Sequence, residues 1–67
     1  MYTEGDVVVP KIANVKMFAS PTESAKAVAT LPKGEELVVT GGEQNGYLKV
    51  QGGAAEGWVK KVLVVRP

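Results

Sequence analysis

Asn45-Gly46 stands between two apolar-polar runs, EELVVTGG upstream and YLKVQ downstream. Asn-Gly in that setting is the strongest short-range signal for a β-hairpin, because both central residues of the tight turn need a positive φ that these two tolerate. The middle of the chain is thereby committed to two antiparallel strands, which excludes a helical fold for its centre. In residues 35–42, Leu37 and Val39 share one face. In Tyr47–Gln51, period two puts Leu48 and Val50 on the core face and Tyr47, Lys49 and Gln51 on the other.

The flanks carry the same kind of signal. Val7, Val8 and Val9 form a strand-like run that Pro10 interrupts, and a proline without an N–H marks an edge strand or a strand end. In KIANVKMF the alternation turns Ala13, Val15 and Met17 inward and leaves Lys16 and Phe18 outside. ASPTESAK, residues 19–26, has the Ser, Pro and Thr content of a loop. Val28–Leu31 follows as a strand closed by the turn Pro32-Lys33-Gly34; a helix capped by Thr22 and running through ESAKAVATL is the alternative. The segment Gly52–Gly57 turns the chain into Trp58 and Val59. After a turn at Lys60 and Lys61, Leu63–Val65 closes the sheet. Short strands punctuated every eight to twelve residues indicate an all-β barrel or sandwich, and 67 residues suit a small, strongly bent antiparallel barrel of five to six strands better than a two-sheet sandwich. The whole chain, residues 1–67, reads as one domain.

Composition narrows the chemistry. With no Cys and no His, disulfides, thiolate chemistry, the usual zinc sites and His-based acid–base catalysis are excluded. The formal net charge of +1 is not a nucleic-acid footprint. No apolar run is long enough for a transmembrane helix, and MYTEGD has neither the basic start nor the apolar centre of a signal peptide. Ser20, Thr22 and Ser24 are turn formers rather than nucleophiles. Glu35 and Glu36 point to opposite faces, and Glu4 with Asp6 falls short of the oxygens that Ca²⁺ needs. We therefore expect no catalytic residues, no metal and no cofactor. The lysines Lys16, Lys33, Lys49, Lys60 and Lys61 form a mild basic scatter that serves solubility or an anionic polymer.

VKMFASPTESAKAVATLPKGEELVVTGGEQNGYLKVQGGAAEGWVKKVLV, residues 15–64, resembles the bacterial SH3-like (SH3b) domain family. The resemblance is carried by the SPTESAK loop feeding AVATLPKGEELVV, by GYLKV after a glycine-containing turn, and by EGWVKK. This chain has Lys16, Phe18 and Ser20-Pro21 where the family typically carries an Asn, an Arg and a Gly-Pro pair, and Tyr47 where it has a Trp. The resemblance implies an SH3-like barrel and a non-catalytic module, at the bacterial cell envelope or outside the cell, that binds peptidoglycan peptides or other proteins.

For such a module the candidate ligand-binding residues are Tyr47, Trp58 and Phe18. Alternation puts Tyr47 opposite the core residues, Trp58 beside inward-facing Val59, and Phe18 across the sheet from both. Rigid amphipathic side chains on a shallow surface suit a peptide or glycan. For Trp58 the alternative is a plug at one end of the barrel. At the level of function, the alternative is a structural or assembly domain that packs on a neighbouring domain or on its own copy, with no small ligand. The sequence leaves the oligomeric state open.

Overall fold

The computed structural model describes residues 2–53 and 55–67. Seven short strands form an antiparallel array: β1 (Val7–Pro10), β2 (Val15–Phe18), β3 (Ala27–Leu31), β4 (Leu37–Gln44), β5 (Tyr47–Gln51), β6 (Glu56–Lys60) and β7 (Val64–Val65), in the spatial order β3-β2-β6-β5-β4-β1-β7. A short 3-10 helix, Lys61–Leu63, joins the last two strands, and no α-helix occurs among the described residues. The expected all-β, SH3-like barrel is present, with seven strands rather than five or six. Among the described residues no helix is long and apolar enough to cross a membrane.

The Asn45-Gly46 hairpin forms as expected. Asn45 and Gly46 have φ of 54° and 79°, the pair of positive values that lets the turn twist with its strands. Between the pairs Val39↔Val50 and Glu43↔Leu48, three residues of β4 face one of β5, so Thr40-Gly41-Gly42 forms a bulge against Lys49. This bends the long strand β4, which runs to Gln44 instead of ending at Gly42. SPTESAK is a loop, and the alternative helix through ESAKAVATL does not form, because Ala27–Leu31 pairs with β2 along its length. Ala54, within the expected Gly52–Gly57 turn, lies outside the described residues.

Val8, Val15, Met17, Leu31, Leu37, Val39, Leu48, Val50, Val59 and Val64 make one continuous core. These are the inward positions of the alternation, with one correction. Ala13 is exposed and outside any strand, because Asn14 at φ 61° breaks the extended path before Val15. Pro10 ends its strand, as one of the two expected readings has it, but β1 is not an edge: it lies between β4 and β7. Close approach of β2 and β6 depends on Gly57, where an added Cβ would lie 2.6 Å from Met17 Cγ and 2.7 Å from the Phe18 carbonyl oxygen.

A polar clasp ties the N-terminal segment of the chain to its C-terminal one. Asp6 Oδ2 accepts from the Thr3 N–H at 2.9 Å and from Arg66 Nη1 at 3.2 Å, while the Arg66 guanidinium sits 4.8 Å from the centre of the Tyr2 ring. The Thr3 backbone hydrogen bond, helped by the Arg66 charge and opposed by partial desolvation, holds the Asp6 carboxyl below its ordinary value of 3.8.

Candidate binding site

The outward faces of β2, β6 and β5 bring the three aromatic residues onto one surface. Phe18 pairs in register with Trp58, and Trp58 with Lys49; one step along, Tyr47 pairs with Lys60. The Phe18 and Tyr47 rings meet edge to face, 6.0 Å between centres and at 85°. Such a contact adds roughly 0.5–1.5 kcal/mol beyond area burial and fixes both rings. Trp58 is half-buried on this outer face between Gly57 and Val59, both of which turn inward, so it is not a plug of the barrel core.

Tyr47 departs from expectation in exposure, not in facing. It stands on the side away from the core cluster, yet only 4% of it is exposed. Phe18 leans against one side of it, and the loop between β2 and β3 closes over the same end of the barrel. Asn45 Nδ2 donates to the Pro21 carbonyl at 3.2 Å and so fastens that loop to the hairpin turn. The Tyr47 hydroxyl is buried there with no hydrogen-bond partner among the described residues.

Two hollows flank this aromatic pair. The larger, about 330 Å³, is walled by Pro21, Thr22 and Glu23 of the loop, Asn45 and Gly46 of the turn, Tyr47 and Lys60 of the sheet, and Val62 of the 3-10 helix. The smaller, about 220 Å³, is bounded by Ile12, Asn14, Val15, Lys16, Phe18, Lys60 and Leu63. Lys60 borders both. Its ammonium lies 3.9 Å from Glu23 Oε1, a loose contact between two exposed groups. The neighbouring Lys61 is instead held at 2.9 Å by Glu43, and its backbone N–H donates to the Gly46 carbonyl, which anchors the 3-10 helix against the hairpin. Trp58 borders neither hollow.

Of the residues expected at the site, Phe18 and Tyr47 touch and each walls one hollow, while Trp58 lies beside Phe18 on the open sheet surface. Lys60 and Lys16, which the sequence shows only as part of a basic scatter, belong to the same surface. The signal for Lys60 was its pairing with Tyr47, which depends on the β5–β6 register and cannot be read from a glycine-rich connection. Among the described residues no three acidic side chains gather to hold a metal ion.

Residues 13–65 match the family model described as the bacterial SH3 domain. The chain belongs to that family. Bacterial SH3 domains are in general non-catalytic binding modules whose partners are peptidoglycan or proteins. No curated protein matches the chain. The match takes in both hollows but for Ile12 and leaves β1 outside it, so this bacterial SH3 domain carries an N-terminal strand beyond the matched region.

Proposed function

We propose that this bacterial SH3 domain binds a peptide-like ligand, with peptidoglycan stem peptides the leading class, along the outer face of β2, β6 and β5. Phe18 and Tyr47 form the centre of the contact and Trp58 its flank. The observation that carries the reading is Tyr47, which lines the larger hollow while its hydroxyl is buried without a partner among the described residues. A buried hydroxyl left unpaired costs free energy that a ligand acceptor would recover. Extended peptides offer such acceptors at every residue, and flat aromatic side chains hold them at low entropic cost.

The test is retention on purified peptidoglycan, with a known wall-binding domain as control. Wild type is expected in the pellet, with Trp58→Ala reduced and Tyr47→Phe reduced further. A wild-type domain left in the supernatant while the control is retained ends the wall reading.

A second reading, a domain that packs on another surface, is favoured by a different feature. Val7 and Val38 pair in register and are both exposed; Val9 and Val65 pair beside them, so four valines share the outer face of β4, β1 and β7. Concentration-dependent sedimentation addresses its self-associating form, which a monomer at high concentration excludes.

A further inference from the structure

The smaller hollow has a chemistry of its own. Lys16 and Lys60 stand on its rim, Ile12, Val15, Phe18 and Leu63 supply apolar wall, and no carboxylate borders it. Lys16 is exposed and makes no ion pair among the described residues. Among the described residues the sole ionic partner of Lys60 is Glu23, 3.9 Å away on a side chain that is 85% exposed. A contact of that kind is worth little, so an incoming anion displaces it at small cost. Two cations over an apolar wall favour a ligand that joins an anion to an aliphatic group. The volume, about 220 Å³, equals some seven waters at about 30 Å³ each, which is room for a single residue rather than a passing chain.

From this we infer that the smaller hollow receives the C-terminal residue of a peptide, its free carboxylate between Lys16 and Lys60 and its aliphatic side chain against Ile12, Phe18 and Leu63. The preceding residues cross the Phe18–Tyr47 pair into the larger hollow, where the loop carrying Pro21 and Thr22 shifts to let the Tyr47 hydroxyl donate to a peptide carbonyl. The inference rests on the peptide-binding reading and sharpens it to stem peptides that end in a free, aliphatic C-terminal residue.

The probe is acetyl-Ala-Ala-Leu, titrated as the free acid and as its C-terminal amide into isotope-labelled protein while backbone amide resonances are followed. The acid is expected to move Lys16, Phe18, Tyr47, Lys60 and Leu63 and to bind about tenfold more tightly than the amide, the worth of a charge-assisted contact. In a Lys16→Gln, Lys60→Gln double variant, both sites being solvent-facing, the acid should bind no better than the amide. Tyr47→Phe should weaken acid and amide by the same factor. Equal binding of acid and amide to wild type, or an acid preference that survives the double substitution, overturns the carboxylate assignment while shifts at the two hollows keep the peptide site. Shifts confined to another face overturn both. With no shifts at all the carboxylate assignment falls, and retention on peptidoglycan decides the broader reading by itself.

Discussion

Tyr47 is 4% exposed, lies outside the main core cluster and carries a hydroxyl with no partner among the described residues. Its ring is useful to the fold, since it braces Phe18 and the loop above it; its oxygen is not. Removing the oxygen alone separates the two contributions. Tyr47→Phe should raise stability in urea by about 1 kcal/mol, because the desolvated hydroxyl no longer opposes folding. Tyr47→Ala should lower it by about 3 kcal/mol or more through loss of the ring. A Phe variant that gains stability and loses ligand marks the hydroxyl as a binding group. A Phe variant that is less stable than wild type shows that the hydroxyl is already satisfied in the free domain. The facing of Tyr47 was legible from period two, but its burial was not. Alternation reports the side of a strand on which a residue stands, whereas its cover comes from a segment far away along the chain, the loop that Asn45 fastens at Pro21.

Among the elements, the contact between β2 and β6 is the one on which the site depends, because it sets Phe18 beside Trp58. Gly57 permits that contact. Its missing side chain would meet Met17 Cγ and the Phe18 carbonyl oxygen at under 3 Å, and the latter, being backbone, cannot swing away. Gly57→Ala should therefore cost about 2 kcal/mol in urea unfolding and shift the Phe18 resonances. Gly42→Ala, where nothing lies within 4 Å of the added carbon, should stay within about 0.5 kcal/mol of wild type. Equal effects of the two would show that the strands can part without loss. The hairpin and the core positions were readable because Asn45-Gly46 and the valine-leucine alternation are local signals. Ala13 was misplaced because one left-handed residue, Asn14, resets the alternation. The pairing of Tyr47 with Lys60 was invisible because β5 and β6 are joined by Gly52–Ala55, whose composition fixes no register.

At the scale of the molecule, stability rests on closing the barrel through its N-terminal segment. Asp6 bonds to Thr3 and Arg66, and its carboxyl is held below the ordinary value of 3.8. A depressed folded value means that the contribution is complete above the ordinary carboxylate range and is lost as pH falls through the folded value. Urea midpoints of wild type and Asp6→Asn should thus differ at neutral pH and converge in acid; a difference that is constant with pH would remove Asp6 from the account. The strand that follows Asp6 has a larger part. β1 lies outside the matched region of the family, yet it separates β4 from β7, pairs with both, and buries Val8 completely. Without residues 1–12, β7 has no partner among the described pairings, Arg66 loses Asp6 and Tyr2, and Leu37, Val39 and Val64 lose part of their cover. Burying a valine contributes roughly 1.5–3 kcal/mol, and a domain of this length has a total margin of only about 3–10 kcal/mol. Residues 13–67, although they span the matched region, should therefore lack the dispersed amide spectrum and cooperative unfolding of the whole chain. Adding a peptide of residues 2–12 should restore both in a saturable way. If 13–67 folds alone with an unchanged spectrum, β1 is an ornament on a barrel already complete; if it folds only with the peptide, the closing strand of this barrel lies outside the residues that match the family.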